Sequence, residues 1–285
     1  MSMPQEDTGV RDSLLYATDI HFWEVVRNPF RLLNKRFLGN LNVVLRRRHE
    51  FHSHHAEAFS DALAQTGVKT ILLGGDFTST ATPGEFEQAV RFTEGLAARG
   101  LQVFVMPGNH DVYTFEARRA RRFERYFRDF MPVEGFPARV TLPGGTPLVL
   151  IPTVRPNLVS SRGGITLRER EGTAKLLAEA GPGPVLAAGH YPVLRQTSAY
   201  RTAWSRRLGN AGALRRVLGA GPQPLLYLAG HVHRFSYTED VAHPGLRHLT
   251  TSAFLLQRPG APVKGGFSEI QVTETGFRVY QHLLE

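Results

Sequence analysis

The sequence predicts an α/β fold in which a two-sheet β-sandwich is flanked by helices. The first observation is a set of short apolar runs that each stop at a small polar cluster: residues 14–17, 70–73, 103–106, 185–188 and 225–229. Runs of four or five apolar residues bounded by Gly or Pro are typical of buried strands. The second observation is that helical patterns separate the first three runs. Such alternation implies parallel strands with helices outside.

Two helices are predicted between these first strands, over residues 50–66 and 85–99. Thr82 and Pro83 precede the second helix and suit its N-cap and first turn. The end of the chain has a different pattern, because residues 246–255 and 269–283 look like strands and the latter segment turns at Thr275 and Gly276. These additional strands are why we expect two packed sheets.

The composition fits a single domain over residues 1–285. With 285 residues, of which 42% are hydrophobic, the chain can bury a sizeable core. No run of about eighteen apolar residues and no secretory signal pattern is visible, so we expect a cytoplasmic location. The chain has no cysteine, so any metal must bind to His, Asp, Glu or Asn. The net charge of +9 favours encounters with nucleic acid, anionic lipid or phosphorylated molecules, although solvated surface arginines explain it equally well.

Polar side chains follow five of the predicted strands, where α/β sheets collect ligand sites. In chain order the clusters are Asp19-x-His21, Gly75-Asp76, Gly108-Asn109-His110-Asp111, Gly189-His190 and Gly230-His231-x-His233. Carboxylates, one amide and several imidazoles suit Mn, Fe, Zn or Co better than Ca or Mg. Each residue alone has a structural explanation, such as a helix cap or a turn. Five clusters in order, each behind a predicted strand, favour a metal site.

This ordered set resembles the calcineurin-like metallophosphoesterases, from residue 19 to residue 233. The resemblance implies two divalent metal ions, with Mn²⁺ first and Fe, Zn or Co as alternatives. One ion would bind Asp19, His21 and His233, the other Asn109, His190 and His231, and Asp76 would bridge them and a hydroxide nucleophile. The family's second motif often carries another acid, whereas Phe77-Thr78-Ser79-Thr80 follows Asp76 here.

Two further residues would act beside the metals. By the same resemblance, His110 would face the phosphate and its leaving oxygen, where it stabilises charge or donates a proton. Asp111 would orient His110. The implied activity is hydrolysis of a phosphodiester or pyrophosphate bond in a phosphorylated substrate.

A basic insertion occupies residues 24–49, with seven basic residues and no acid from Arg27 to Arg48. Its apolar residues recur every three or four positions, which is typical of an amphipathic helix. Together with the basic charge, this pattern suits a helix that lies at the anionic inner face of a membrane or covers a lipid-linked substrate. A helix packed on the domain with solvated arginines is the alternative. The pattern NPF…KRFLGNLN…RRR is similar to the branch that includes bacterial UDP-2,3-diacylglucosamine pyrophosphatases.

The function therefore has alternatives within one chemistry. A pyrophosphatase for a nucleotide-linked lipid competes with a cyclic-nucleotide or other small phosphodiesterase and with a general phosphatase. A metal-dependent nuclease is a further alternative. Simple nucleic-acid binding is disfavoured, because the sequence has no helix-turn-helix, zinc-finger or aromatic-interleaved basic pattern.

Overall fold

The computed structural model describes residues 9–25, 50–51, 55–157, 160–256 and 265–284. Residues 26–49 of the basic insertion lie outside this part of the chain, so the predicted amphipathic helix is not described. Eleven strands are present in the described part: β1 Val10–Ala17, β2 Thr70–Leu73, β3 Gln102–Val105, β4 Ala138–Thr141, β5 Pro147–Leu150, β6 Val185–Ala188, β7 Leu225–Ala229, β8 Ser236–Glu239, β9 Leu246–Thr250, β10 Gly266–Thr273 and β11 Phe277–Leu283.

These strands form two mixed sheets. The first sheet has the order β11-β10-β1-β2-β3, and the second has the order β4-β5-β6-β7-β9-β8. Strands β1, β2 and β3 pair in parallel, as do β5, β6, β7 and β9. Antiparallel strands lie at three of the four sheet edges, namely β11, β4 and β8, and the fourth edge is the parallel strand β3. Because parallel strands end at the same edge of a sheet, the loops that follow them gather on one side of each sheet.

Alternating side chains pack the two sheets against each other. Along β1, Leu14 and Tyr16 are buried between the sheets, whereas Leu15 and Ala17 lie in the core on the helix side. The same period of two in the second sheet places Leu186 and Ala188 in the shared core and Val185 and Ala187 in the core under its helices. The strands therefore read as continuous apolar runs because both of their faces are buried, as the sequence predicted.

Six α-helices of the described residues cover the outer faces: α1 Ala56–Gln65, α2 Pro83–Ala98, α3 Phe115–Arg119, α4 Arg122–Tyr126, α5 Leu167–Ala178 and α6 Ala211–Leu218. Residues of α1 to α4 contribute to the core on the first sheet, and residues of α5 and α6 to that on the second. Helix α2 begins as predicted. The Thr82 side chain accepts a hydrogen bond from the Glu85 backbone, and the Glu85 carboxylate accepts one from Thr82 N. The α/β prediction with two sheets and flanking helices is confirmed.

Some predicted boundaries were wrong. Helix α1 begins at Ala56 instead of residue 50, since Phe51 forms an isolated antiparallel bridge with Leu256. The predicted strand 246–255 ends at Thr250, because the chain then leaves the second sheet and Ala253 pairs with Thr18 beside the first. The predicted turn at residues 275–276 is confirmed, since it lies between β10 and β11, where Thr273 N donates to Gly276 O.

No described helix is long and apolar enough to cross a bilayer.

Candidate metal centre

The loops after β1, β2, β3, β6 and β7 carry all of the predicted site residues to one place. Among the described residues, three overlapping groups have ligand atoms within 4.8 Å of one another: Asp19 with His21 and His233, Asp76 with His190 and His231, and His21 with Asp76 and His110. The first two groups follow the division into two metal positions that the sequence suggested. Each group is largely buried, so water competes little for its polar atoms.

The backbone at this site adopts an uncommon conformation. Five of the residues that follow the strands have positive φ although none is glycine: Asp19 at 55°, His21 at 57°, Asp76 at 55°, His231 at 67° and His233 at 56°. Such residues cost about 1–3 kcal/mol each and persist only where the surroundings hold them. Here hydrogen bonds between the loops after β1 and β2 hold this conformation. Asp19 N donates to Gly75 O and His21 N donates to Asp76 O, both at 2.9 Å. Strain concentrated at this edge is typical of a functional site.

The first group brings together, from the loops of both sheets, three atoms of the kinds that bind metals. His233 Nε2 lies 3.1 Å from Asp19 Oδ1 and 3.3 Å from His21 Nε2. Asp19 Oδ1 is buried and accepts no hydrogen bond from the described residues. His21 Nδ1 lies 3.2 Å from Thr78 O, and an Nδ1–H donated to this carbonyl leaves the Nε2 lone pair facing the group. An unsatisfied carboxylate oxygen beside two imidazole nitrogens fits a cation better than it fits an apolar packing role.

The second group is assembled around the amide oxygen of Asn109. This oxygen lies 3.2 Å from His190 Nε2 and 2.9 Å from His231 Nδ1. His190 Nδ1 lies 3.0 Å from Gly74 O, which directs its Nε2 inward in the same way as in His21. The four donors Asn109, His190, His231 and Asp76 thus supply nitrogen and oxygen ligands of the kind that transition metals bind.

Asp76 lies between the two groups. Its Oδ2 is 3.8 Å from His21 Nε2 in one direction and 3.4 Å from His190 Nε2 in the other. Its Oδ1 accepts a hydrogen bond of 2.7 Å from His110 N, which fixes the orientation of the carboxylate. One oxygen therefore faces both metal positions while the other is held by the protein.

Charges within the buried cluster shift its pKa values in opposite directions. Burial opposes the charged forms, but the imidazole of His233 holds the pKa of the Asp19 carboxyl well below its usual range. Burial also opposes protonation of His190, yet the Asp76 and Asp19 carboxylates raise its pKa to about 9. Burial lowers the pKa of His231 to about 3, and the nearby charges of His190 and Arg206 act in the same direction. The carboxylates of this cluster thus favour protonation of His190, whereas burial and neighbouring positive charge disfavour protonation of His231.

His110 lies at the edge of the centre, where one of its ring nitrogens lies within 4.8 Å of a ring nitrogen of His21 and a carboxylate oxygen of Asp76. Its Nδ1 lies 2.7 Å from Ser79 O, and its ring stacks on Tyr113 with centroids 5.3 Å apart. An Nδ1–H donated to Ser79 leaves Nε2 toward the cleft. This position suits the predicted role at the phosphate, and it also makes His110 a possible metal ligand.

Asp111 does not make the contact with His110 that the sequence suggested. Its Oδ1 accepts hydrogen bonds from Thr78 N and Thr78 Oγ1, and its Oδ2 accepts one from Gly108 N. Ser79 O takes the place beside the His110 ring, because the Asp111 carboxylate is turned inward to join the loops after β2 and β3. Burial and the neighbouring Asp76 raise the pKa of Asp111 to about 7.

A cleft of about 650 Å³ opens onto the centre. Besides Asp76, His110, His231 and His233, its described lining includes three arginines, Arg201, Arg206 and Arg234, and an apolar pair, Phe51 and Leu256. The sequence analysis missed these five residues. Arg234 was recognisable from its place next to His233, but Arg201 and Arg206 belong to no motif and reach the cleft only through the fold.

Comparisons with known proteins agree with this geometry. The sequence model of a family described as calcineurin-like phosphoesterase matches residues 13–235. No curated protein matches the chain by sequence. Among solved structures, a dimetal phosphatase from Danio rerio has a TM-score of 0.65 at 14% identity, and the match covers 96% of each chain.

Two further solved structures share the fold. A purple acid phosphatase from yellow lupin seeds has a TM-score of 0.61 at 12% identity, over 95% of this chain and 51% of the lupin chain. The protein TT1561 of Thermus thermophilus has a TM-score of 0.51 at 15% identity, over 96% of this chain and 99% of that one. At these identities the likeness shows the fold alone.

Proposed function

We propose that this chain, which belongs to the calcineurin-like phosphoesterase family, hydrolyses a phosphodiester or pyrophosphate bond at a two-metal centre. The family makes the chain a metal-dependent phosphoesterase. The observation that supports the two-metal arrangement is the position of Asp76, whose Oδ2 faces His21 on one side and His190 on the other. A carboxylate oxygen placed between two ligand groups suits a bridge between two cations about 3.5–4 Å apart.

Seven residues would hold the metals. Asp19, His21 and His233 would bind one ion, Asn109, His190 and His231 would bind the other, and Asp76 would bind both. Mn²⁺ is our first choice, with Fe, Zn or Co as alternatives, since the ligands are imidazole nitrogens and carboxylate or amide oxygens. When bound, such a pair acidifies a water molecule and offsets the charge of a phosphate.

The remaining residues position the substrate and move protons. His110 reaches the cleft with Nε2, and in its protonated form it donates a hydrogen bond or a proton to the leaving oxygen. Asp111 acts as a positioning residue, because its carboxylate ties Thr78 to Gly108 and so fixes the loops that carry Asp76 and Asn109. Burial of the centre keeps water from screening these interactions.

The substrate is a phosphorylated molecule, and a nucleotide-linked lipid is the first candidate. The supporting observation is in the sequence, where residues 27–48 carry seven basic residues and no acid. These residues lie outside the described part of the chain. Such a segment suits an amphipathic helix at an anionic membrane surface, on its inner face. A cyclic-nucleotide or other small phosphodiesterase and a metal-dependent nuclease use the same metal chemistry and are the alternatives.

A hydrolysis screen tests the proposal. The purified protein would be loaded with Mn²⁺ and assayed against phosphomonoesters, phosphodiesters, nucleotide diphosphate esters, a lipid-linked diphosphate and DNA, with metal content measured in parallel. We expect about two ions per chain and hydrolysis of diesters or diphosphates. Turnover confined to phosphomonoesters would contradict the proposed bond specificity, and DNA cleavage that exceeds all small substrates would favour the nuclease.

A further inference from the structure

Three arginines stand in the wall of the cleft beside the metal centre. Arg201, Arg206 and Arg234 line the same cleft as Asp76, His110 and the metal-ligand histidines after β7. All three are exposed. The acids in the described lining are Asp76, which belongs to the metal centre, and Glu50, which lies next to Phe51. The cleft therefore holds an excess of positive side-chain charge even before any metal binds.

Several arginines of the fold are neutralised by an acidic partner, whereas these three have none among the described residues. Arg99, Arg122 and Arg215 form ion pairs with Asp61, Glu116 and Asp240, respectively. Within the described residues, no hydrogen bond or ion pair is formed by the guanidinium groups of Arg201, Arg206 or Arg234. These guanidinium groups donate to no described residue and line the same cleft, so they are available to bind an anion from solution.

The backbone that carries two of these arginines is well anchored. Gln196 and Arg201 form an antiparallel bridge, and Thr202 N donates to Arg195 O at 3.0 Å. Arg206 ends a short 3₁₀ helix, Trp204–Arg206, and Ser161 N donates to Ser205 O. The two side chains thus start from a segment with fixed geometry on the second sheet's side of the cleft, which limits the entropy lost when an anion binds.

The same cleft also has an apolar part, formed by Phe51 and Leu256. The ring centroid of Phe51 lies 4.7 Å from that of His21 and 6.0 Å from that of His233, both in the first group. The cleft beside the metal centre thus offers both cationic and apolar side chains to a substrate.

We propose that Arg201, Arg206 and Arg234 bind a second phosphate group of the substrate, adjacent to the phosphate that is attacked. This inference rests on the proposed function and narrows it. The substrate class is a diester of diphosphate, with the less polar substituent toward Phe51 and Leu256. A simple phosphodiester would leave the three arginines without a ligand.

The reaction is a hydrolysis and needs no further reactant. The oxygen of water bonds to the attacked phosphorus, and the bond from that phosphorus to the bridging oxygen breaks. The electron pair of the broken bond stays on the bridging oxygen, so the second phosphate leaves as a monoester and the protons of water are shared between the products and solvent. Negative charge grows on this leaving phosphate, and guanidinium groups beside it stabilise that charge.

The test uses two substrates that share a nucleoside and differ in the second phosphate. These are thymidine 5′-diphosphate glucose and the p-nitrophenyl ester of thymidine 5′-monophosphate, both assayed with Mn²⁺-loaded protein. The variants are Arg201→Gln, Arg206→Gln, their double variant and Arg234→Gln. The matched control is Arg168→Gln, an exposed arginine on α5 that lies outside the cleft lining. Thermal unfolding verifies that each variant is folded.

The readout is the ratio of kcat/KM for the diphosphate to that for the monophosphate ester. We expect this ratio to fall about tenfold for a single variant and about a hundredfold for the double variant, because each charged hydrogen bond contributes about 1.4 kcal/mol or more, a tenfold effect. The control should leave the ratio unchanged. Equal losses on both substrates, or no loss, would overturn the inference. A wild-type protein that binds metal and hydrolyses neither substrate would instead contradict the proposed function.

Discussion

The Nε2 atoms of His21 and His233 lie 3.3 Å apart, although the two residues follow strands of different sheets. Both nitrogens also face the carboxylate of Asp19, whose Oδ1 is 3.8 Å from the first and 3.1 Å from the second. Two imidazole nitrogens at this separation are complementary only to a shared proton or to a cation. A metal ion at this position would therefore join the two sheets.

Replacing His233 with Ala should remove one metal ion. Asp19, His21 and the shared Asp76 would remain at the first position, while the second group stays complete. We expect metal content to fall from about two ions to about one, measured by elemental analysis after gel filtration. Chelation should also lower the melting temperature of the wild-type protein more than that of the variant, since a bound ion stabilises the folded state. Unchanged metal content in the variant would place His233 outside the centre. The control is His243→Ala, since His243 belongs to none of the three ligand groups.

Replacing His110 with Ala should slow hydrolysis by about 10²- to 10⁴-fold while both metal ions remain, because a proton donor or charge-stabilising group is lost. The loss should shrink for substrates whose leaving group has a low pKa, since such a group needs little protonation. A series of phosphodiesters with graded leaving groups measures this. A loss of equal size across the series would favour charge stabilisation over proton donation. Loss of one metal ion would make His110 a ligand, which its distance to His21 and Asp76 allows.

The residues proposed for the metal centre could be located in the sequence because they follow apolar runs. Strands β2, β6 and β7 and the last four residues of β1 are buried on both faces, so they appear as short apolar segments, and the polar residues after them are conspicuous. Strand β3 is partly exposed at Gln102 and Phe104, but its last three residues are also apolar. Strands β4, β5 and β8 were missed. Strands β4 and β8 are four-residue edge strands with partly exposed side chains, and their sequences ARVT and SYTE carry little hydrophobic signal. Strand β5 is a buried apolar run, PLVL, that the sequence analysis did not identify.

The contacts of Asp111 and the arginine wall were not predictable. Asp111 follows His110 directly, which suggested that it orients that ring, yet a carboxylate can turn toward any donor that the fold supplies. Here the donors are Thr78 and Gly108. Arg201 and Arg206 lie in a segment without a motif, and only the bridge between Gln196 and Arg201 and the packing of residues 161 and 205 bring it to the cleft.

Glu85 should make stability depend on pH. Burial raises the pKa of its carboxyl to about 7, although Thr80 and Thr82 donate hydrogen bonds to it. Because the folded state holds this proton more tightly than the unfolded state, the stabilisation is complete below about pH 4.5 and is lost as pH rises through about 7. The free energy of unfolding should decrease by up to about 3 kcal/mol over this range relative to Glu85→Gln.

Urea unfolding at several pH values measures this difference. The matched control is Glu87→Gln, an exposed acid on the same helix, which should follow the pH dependence of the wild-type protein. A Glu85→Gln variant with the same pH dependence as the wild type would show that Glu85 titrates normally.

The basic insertion should bind anionic membranes if the substrate is lipid-linked. Replacing Arg46, Arg47 and Arg48 with Gln should weaken binding to phosphatidylserine vesicles by about 1 kcal/mol per charge, and the loss should fade as salt rises. Replacing Phe37 and Leu41 with Ser should also weaken vesicle binding and leave thermal stability nearly unchanged. Co-sedimentation with vesicles and thermal unfolding measure both effects. A destabilised Phe37/Leu41 variant, together with a wild-type protein that ignores the vesicles, would contradict the lipid proposal.

Asp76→Ala tests the central claim most directly, because the two-metal assignment depends on one carboxylate that serves both positions. The measurement combines metal content per chain with turnover of the p-nitrophenyl ester of thymidine 5′-monophosphate, and the exposed acid variant Asp129→Ala is the control. We predict that Asp76→Ala holds one ion or none and has no detectable turnover, while Asp129→Ala matches the wild-type protein. Two tightly bound ions and full turnover in Asp76→Ala would contradict the account.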